Sequence, residues 1–331
     1  GVVGKSVTAL DSEGIKRVTK EAFIKSAGIP KIDGPAVIVP ANSLKLNGNA
    51  MTELSVANGF SLSASEVVSW LNSNIASSGL SGSMTASAKN EIIIPLDGLV
   101  GAPLCEKFKS LAKKTNFDAI KQQVKLLKSN QRIIYPTSNS GYGIGKKDKF
   151  CDENSPLNPI SLYGRTKAEA EKEVQKFKNS VCFRLATIFG YSYRMRSDLL
   201  VNNFVYRAIN DKKLSIFQPQ FRRNFIHIDD VVKAFIFAIQ NFNKVKGEIF
   251  NLGLSSANIT KLDLANKIKK QLPALKIKII KNKKDPDQRD YFVSNKKIEN
   301  LGFKATISID DGISELIKIF SYSTLKIKNN Y

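Results

Sequence analysis

The sequence has few of the residues that bind metals or form disulfides. It contains one histidine, His227, and three widely separated cysteines, Cys105, Cys151 and Cys182. A single histidine excludes a zinc site or a catalytic dyad that needs two, and we expect no bound metal. Three scattered cysteines without metal-ligand spacing favour a reducing compartment.

The sequence also lacks the long apolar runs of membrane proteins. No stretch of about 18 apolar residues is present, which argues against a membrane span. A basic start followed by an apolar core, the pattern of a signal peptide, is not found either. With 42% hydrophobic residues, 20 glycines and 11 prolines among 331 residues, the composition is that of a globular protein. We expect it to be cytoplasmic.

Acidic residues are scarce relative to basic ones. The chain has 51 lysines and arginines against 29 acidic residues, a formal net charge of +22. Such a charge attracts anionic partners. Lysines outnumber arginines by 41 to 10 and are scattered, whereas nucleic-acid-binding proteins concentrate arginines and aromatics on one surface. Nucleic acid is therefore an unfavoured partner, and a small molecule that carries phosphate fits the charge as well.

The composition changes near residue 90. Residues 1–90 carry 8 basic and 6 acidic residues, so nearly all of the excess charge lies downstream. Within this segment the pattern predicts an amphipathic helix over 13–26 and a short strand over 36–39. We treat 1–90 as an atypical N-terminal segment, because no residue in it points to a particular chemistry.

From residue 91 onward, strand-like apolar runs alternate with helical periodicity. This alternation predicts βαβ units and a parallel sheet, the α/β class. The predicted strands are 91–96, 132–138, 181–189 and 248–252. The predicted helices are 104–127, 161–177, 198–210, 229–242, 261–272 and 308–320, with Thr260 as an N-cap and Asp229 and Asp230 capping the helix at 229–242.

Tyr163 and Lys167 are candidates for proton transfer. Residues four apart share one face of a helix, and a nearby ammonium would lower the pKa of a phenol towards the neutral range. The spacing alone is weak, because chance predicts about one such pair here and the sequence holds three. Only this pair begins a long helical segment about 25 residues after a strand that ends in small polar residues, 137–140.

The motifs around these residues resemble the extended short-chain dehydrogenase/reductase family, the NAD-dependent epimerase/dehydratases that act on nucleotide sugars. The matches occur in the family's order: TSNSGYG at 137–143, YGRTK at 163–167, FRLATIFG at 183–190, RRNFIHIDDVV at 222–232, IFNLG at 249–253 and DPDQRD at 285–290. The resemblance implies a Rossmann-like parallel sheet. A catalytic region would occupy 91–190, and 191–331 would mostly bind substrate, with a strand and a helix returning to the sheet.

The resemblance also implies roles for individual residues. Ser138, Tyr163 and Lys167 would be catalytic, with Tyr163 as the acid/base. Tyr163, Lys167, Gly98 and Leu99 would contact NAD or NADP. A homodimer formed through the helices 104–127 and 161–177 is usual among such proteins.

The substrate implied by the resemblance is a nucleotide sugar. Its contacts would be Asn139, Thr187, Arg223, Lys284 and Arg289, and arginine suits two-point recognition of phosphate. Family dehydratases carry an acidic pair just after the position of Ser138, where this chain has Asn139 and Ser140. The sequence therefore favours an epimerase or a reductase.

One family feature is missing, and it leaves two functional readings open. The glycine-rich turn GxxGxxG, which holds the dinucleotide pyrophosphate at a helix N-terminus, is not found. The segment at 98–101 follows a strand but has Leu104 in place of the last glycine, so 1–90 is either a replacement or a divergent form of the cofactor half. The protein is then either an active NAD(P)-dependent enzyme, or a catalytically silent relative that binds a sugar nucleotide or acts in assembly.

Overall fold

The computed structural model describes residues 92–96, 98–145, 149–192, 195–280 and 289–322, together with eight short strands nearer the N-terminus. The chain forms two compact units, Gly1–Glu91 and Ile92–Tyr331. Each unit is described by itself.

The described strands of the first unit pair as antiparallel ribbons. Strand β1 pairs with β4, β2 with β3, β5 with β8 and β6 with β7. The predicted helix over 13–26 is wrong, because Gly14–Arg17 and Ala22–Phe23 are strands that pair with Thr8–Asp11 and Gly4–Lys5. The predicted strand over 36–39 is confirmed. The bounds are Gly4–Lys5 (β1), Thr8–Asp11 (β2), Gly14–Arg17 (β3), Ala22–Phe23 (β4), Val37–Val39 (β5), Lys45–Leu46 (β6), Asn49–Ala50 (β7) and Leu54–Val56 (β8).

A four-stranded parallel sheet forms the centre of the second unit. Its strands are Ile92–Ile93 (β9), Arg132–Ser138 (β10), Ser180–Leu185 (β12) and Glu248–Leu252 (β16), and their order across the sheet is β16-β12-β10-β9. Every neighbouring pair is parallel. The predicted Rossmann-like α/β class is confirmed. Along the chain, the strands follow one another from one edge of the sheet to the other, and the order does not reverse. The sheet therefore corresponds to one half of a doubly wound fold.

Shorter strands lie outside this sheet. They form a three-stranded sheet in the order β13-β15-β17 and the parallel pairs β14–β18 and β11–β19. Their bounds are Phe150–Cys151 (β11), Thr187–Phe189 (β13), Lys213–Phe217 (β14), Arg222–His227 (β15), Asn258–Thr260 (β17), Lys276–Ile280 (β18) and Phe292–Val293 (β19). The predicted strand over 181–189 is thus two strands, divided at Ala186, whose N–H donates to the Leu252 carbonyl at 2.8 Å.

Helices connect the strands. They are Ala102–Lys107 (α1), Lys109–Lys113 (α2), Ala119–Leu126 (α3), Leu162–Gln175 (α4), Leu200–Asn210 (α5), Ile228–Gln240 (α6), Phe242–Val245 (α7), Lys261–Gln271 (α8), Lys296–Glu299 (α9) and Ile309–Tyr322 (α10). Short 3₁₀ helices occupy Asn139–Tyr142 and Ser255–Ala257. The predicted helix over 104–127 is interrupted at Phe108 and contains a π-helical turn over Lys114–Asp118.

Two helix starts test the predicted caps. Thr260 caps α8 as predicted, in a reciprocal capping box with Asp263. The cap of α6 is His227 rather than the two aspartates, because the His227 ring accepts from the Asp229 N–H at 3.3 Å. The Asp230 carboxylate instead accepts from the N–H groups of Thr306 and Ile307 at 2.9 and 2.8 Å, which ties α6 to the segment before α10.

A buried ion pair joins helix α4 to the sheet. The Arg184 guanidinium on β12 donates to both carboxylate oxygens of Glu171 on α4, at 2.7 and 3.1 Å. Both side chains are buried. Arg184 also donates to the Tyr142 hydroxyl at 2.9 Å, and that hydroxyl donates to Asn251 at 2.6 Å. This network fixes the rotation of α4, the helix that carries Tyr163 and Lys167.

Candidate active site

A cavity of about 450 Å³ lies at the carboxyl ends of strands β10 and β12. This edge is where open parallel sheets place their ligand sites. The lining brings together five of the residues predicted from the sequence, Ser138, Tyr163, Thr187, Arg223 and Arg289. Lys167, Asn139, Gly98 and Leu99 lie outside the lining, and Lys284 lies outside the described residues.

Ser138 is held at the end of β10 by the turn that follows it. Its hydroxyl oxygen caps the 3₁₀ helix by accepting from the Ser140 N–H at 3.1 Å. The Ser138 and Ser140 hydroxyl oxygens are 2.9 Å apart, and the Arg289 guanidinium donates to the Ser140 hydroxyl at 2.5 Å. Two hydroxyls and one cation therefore form a connected cluster at one end of the cavity.

Tyr163 enters the cavity from the first turn of α4. Ser161 caps this helix by accepting from the Gly164 N–H at 3.1 Å. Burial raises the pKa of Tyr163 above its ordinary value of 10, while the charges of Arg289 and Arg196 and a hydrogen bond with Ser138 act in the opposite direction. The expected net lowering of this pKa is therefore wrong for the protein alone, because desolvation of the phenolate outweighs the nearby cations.

Lys167 lies one turn further along α4, and its side chain is buried. Its side chain is 8% exposed, and Nζ lies 4.4 Å from the centroid of the Tyr135 ring. Burial lowers the pKa of Lys167 from 10.5 to about 8, although Cys182 and Glu171 act to raise it. The Lys167 side chain therefore loses its proton more readily than an exposed lysine does.

The turn after β9 is fixed by a side chain that the sequence did not single out. The Leu99 N–H donates to Asn116 Oδ1 at 2.8 Å, and Asn116 Nδ2 donates to the Leu99 carbonyl at 2.9 Å. Asn116 also lies 3.4 Å from the Thr166 hydroxyl on α4. Both backbone groups of Leu99 are thus already bonded within the protein, and the next residues, Val100 to Pro103, line the cavity. No motif distinguished Asn116, because its role depends on a π-helical turn.

Basic side chains dominate the charge of the cavity. Arg223, Arg289, Arg196 and Lys261 line it together with one carboxylate, Asp198. Arg196 donates to both carboxylate oxygens of Asp198, with Nε at 3.0 Å from Oδ1, so that pair is neutral. Arg223, Arg289 and Lys261 add positive charge to the cavity, which would attract an anionic ligand.

Asn139 has a different environment. Its side chain is 1% exposed, and neither its amide oxygen nor its amide nitrogen has a hydrogen-bond partner among the described residues.

Among the same residues, no group of three histidine, cysteine or acidic side chains could hold a metal ion. No helix in the described part of the chain is long and apolar enough to cross a bilayer.

The parallel sheet, its connecting helices and the cavity at the strand ends define a Rossmann-like α/β protein. The chain belongs to the NAD dependent epimerase/dehydratase family, whose model matches residues 87–253, half of its length.

Curated relatives match part of the chain. The uncharacterized UDP-glucose epimerase YtcB of Bacillus subtilis is 33% identical over 131 residues, covering 38% of this chain and 40% of the relative. UDP-glucuronate 4-epimerase 4 of Arabidopsis thaliana is 27% identical over 56% of this chain and 47% of its own. The dTDP-D-glucose 4,6-dehydratase of Bos taurus is 25% identical over 60% and 58%. The chain thus spans about half the length of the curated relatives it matches.

Solved structures share the fold. UDP-glucuronic acid 4-epimerase from Bacillus cereus, in complex with UDP-glucuronic acid and NAD, superimposes with a TM-score of 0.60 at 22% identity, covering 68% of this chain and 74% of that one. The dTDP-glucose 4,6-dehydratase from Bacillus anthracis, in complex with NAD, gives 0.60 at 18% identity, with 76% of both chains covered. At these identities the likeness concerns the fold.

Proposed function

We propose that the protein is an NAD(P)-dependent nucleotide-sugar epimerase or reductase in which Tyr163 is the acid/base. The observation that carries this proposal is that Ser138 and Tyr163 line one basic cavity at the carboxyl ends of parallel strands. Family membership and relatives named as sugar-nucleotide epimerases and dehydratases support it.

The described residues fit the reactive end of a nicotinamide cofactor. The segment from Val100 to Pro103 lines the cavity together with Tyr163, which gives the cavity a backbone wall next to the phenol. In this proposal Gly98 and Leu99, which precede that wall, would contact the cofactor, and Lys167 would bind the nicotinamide ribose. When bound, the nicotinamide supplies a hydride acceptor or donor.

Tyr163 and Ser138 would handle the proton. A sugar hydroxyl placed within hydrogen-bond reach of the phenol oxygen would lose its proton to Tyr163 as its carbon loses a hydride. The Ser138 hydroxyl would hold the same sugar oxygen and thereby fix its direction. In an epimerisation, the same carbon would receive hydride back on its other face while Tyr163 returned the proton to the oxygen. In a reduction, the carbonyl carbon of a keto sugar would receive hydride and its oxygen would receive the proton from Tyr163.

The basic residues would bind the nucleotide diphosphate. Arg223 and Arg289 lie on the cavity wall, and a guanidinium has five N–H donors, so the bond from Arg289 to Ser140 is compatible with a further bond to phosphate. Thr187 on the wall, with Asn139 and Lys284, completes the proposed substrate contacts. The dimer that we propose would form through α1 to α3 and α4.

The side chains after Ser138 favour epimerase or reductase chemistry over dehydration. Elimination of water needs an acid and a base at neighbouring carbons. Asn139 and Ser140 have no carboxyl group to supply either role. The Asn139 amide is buried, and the Ser140 hydroxyl is bonded to Ser138 and Arg289.

A second candidate, the catalytically silent relative, has two observations in its favour. The Leu99 N–H, which could donate to a cofactor, is bonded to Asn116, and the sequence has no glycine-rich turn for the pyrophosphate. Such a protein would bind a sugar nucleotide or act in assembly without turnover.

Cofactor titration separates the two candidates. We expect NADH or NADPH to bind the full chain with a change in nicotinamide fluorescence, and Tyr163→Phe to keep this binding while turnover of UDP- or dTDP-hexoses falls by about 10² to 10⁴-fold. Tyr206→Phe, which removes a hydroxyl from α5, is the matched control and should retain turnover. No binding at millimolar NAD(H) and NADP(H) would leave the silent relative as the function.

A further inference from the structure

Two helices hold one peptide unit in the wall of the cavity. We propose that Asn202 on α5 and Glu315 on α10 are positioning residues, which fix the backbone around Gly190 so that the cavity has its binding shape before a ligand enters. The inference rests on the proposed function for the identity of the ligand, a nucleotide sugar. The hydrogen bonds that carry it lie entirely within the protein.

The Asn202 amide joins two separate points of this wall. Its Oδ1 accepts from the Gly190 N–H at 3.1 Å, and its Nδ2 donates to the carbonyl oxygens of Gly190 and Arg196 at 3.3 and 2.9 Å. Gly190, Arg196 and Asn202 all line the cavity. Asn202 is 1% exposed, and both hydrogens of its Nδ2 are used in these bonds. It therefore has no hydrogen to donate to a ligand and acts through the backbone that it holds.

Glu315 holds the same peptide unit from another helix. Its Oε2 accepts from the Tyr191 N–H at 3.1 Å, and this N–H belongs to the peptide unit whose carbonyl accepts from Asn202. The same Oε2 lies 2.9 Å from Nε2 of His227. Nδ1 of that ring accepts from the Asp229 N–H, so a neutral ring carries its hydrogen on Nε2 and donates it to Glu315. The carboxylate is thus held in place while it holds Tyr191.

Packing against the His227 ring adds a third restraint on this backbone. A Cβ at Gly190 would lie 2.2 Å from Nε2 of the ring, so the ring is in direct contact with the backbone. Side chains from α5, α10 and the end of β15 therefore fix Gly190 and the peptide bond that follows it. A wall that is already fixed has little conformational freedom to lose when a ligand binds.

Loss of either side chain should weaken binding without slowing the chemical step. Ser138 and Tyr163 are placed by other bonds, at the end of β10 and in the first turn of α4. When a wall has its binding shape for only part of the time, the apparent affinity falls in proportion to that fraction. One hydrogen bond is worth roughly a tenfold change in such an equilibrium, so we expect an effect of that size.

Glu315 gives the sharper test, because it lies outside the cavity lining and carries a negative charge. UDP-glucose and dTDP-glucose would be titrated by calorimetry into the full chain without added cofactor. If Glu315 acted only through its charge, Glu315→Ala would bind these anions more tightly. The inference predicts the opposite, a dissociation constant about tenfold higher. Asp311→Asn, which removes an exposed negative charge from the same helix, is the matched control and should not weaken binding.

Asn202→Ala should weaken binding by a similar factor, with Asn203→Ala, the next residue on α5, as its control. Because the two side chains hold one peptide unit, the effect of Glu315→Ala should shrink when Asn202 is already alanine. In turnover, each single variant should raise KM by about tenfold and change kcat by less than about twofold. Thermal unfolding checks the folding of each variant, and the Glu315 side chain is 35% exposed, so its replacement tests the inference even where Asn202→Ala does not fold.

The possible failures are distinguishable. Native or tighter binding by Glu315→Ala, or a fall in kcat at unchanged KM, would overturn the inference alone. A native chain that binds neither nucleotide sugar would overturn it together with the nucleotide-sugar part of the proposed function.

Discussion

The buried ammonium of Lys167 predicts a stability that depends on pH. Burial lowers the pKa of this lysine from 10.5 to about 8 in the folded chain, and the attraction of Cys182 and Glu171 does not compensate. The replacement Lys167→Met keeps the length of the side chain and removes the charge. The comparison of the two proteins therefore isolates the cost of keeping an ammonium at this position.

The magnitude follows from the two pKa values. Each pKa unit corresponds to about 1.4 kcal/mol, so the fall from 10.5 to about 8 represents roughly 3 kcal/mol. A group with a lowered folded-state pKa stabilises most above its unfolded-state value, and this contribution is lost as the pH falls. Relative to the methionine variant, the native protein should therefore lose about 3 kcal/mol of unfolding free energy between pH 10.5 and pH 8. Below pH 8 the difference should be constant.

Urea unfolding at several pH values between 7 and 10.5 measures this difference. Titrating groups that do not interact with Lys167 cancel in the comparison. Lys172→Met, a change at an exposed lysine of the same helix, is the matched control because it removes a charge that is in water. A ¹³Cε resonance that is missing only in Lys167→Met would report the pKa directly. A free-energy difference that stays constant from pH 7 to 10.5 would refute the reasoning.

Two further predictions concern the packing of the fold and its assembly. Gly190 and Gly302 have φ values of +103° and +100°, but only at Gly190 would a Cβ meet another group, the His227 ring nitrogen, at 2.2 Å. Gly302→Ala should cost about 1 kcal/mol of backbone strain, and Gly190→Ala distinctly more, in urea unfolding; equal costs would contradict the assigned clash. For the proposed dimer, light scattering should give twice the chain mass, and Leu111→Glu, at an exposed apolar position on α2, should yield monomers; a native protein that is monomeric at high concentration would disprove it.

The sequence predicted the elements that local signals define. Strand β10 has the bounds expected from its apolar run, and α4 begins after Ser161 because a serine oxygen can satisfy the first N–H groups of a helix. The helix over 104–127 was predicted as continuous, since its periodicity does not reveal the π-helical turn that places Asn116 against Leu99. An extra residue in a turn shifts a side chain without changing the pattern of apolar residues.

The cap of α6 shows a second limit of local reasoning. Two aspartates at the start of a helix are good caps on composition alone, and the sequence contains both. Asp230 is buried instead, because the segment before α10 brings the N–H groups of Thr306 and Ile307 to its carboxylate. His227 can then accept from the first turn. A contact between residues about 76 positions apart decides which side chain caps the helix, and no local window contains it.

The candidate site follows the same logic. The spacing of Tyr163 and Lys167 suggested that one ammonium, a helical turn away, would make the phenol acidic. In the folded chain the Lys167 ammonium lies over Tyr135, and the charges that act to lower the pKa of Tyr163 are those of Arg289 and Arg196, further along the chain. A helical repeat can place two groups on one face. Only the tertiary fold determines how far each group is buried and which distant charges act on its pKa. The acidity of Tyr163 is therefore a property of the cavity as a whole.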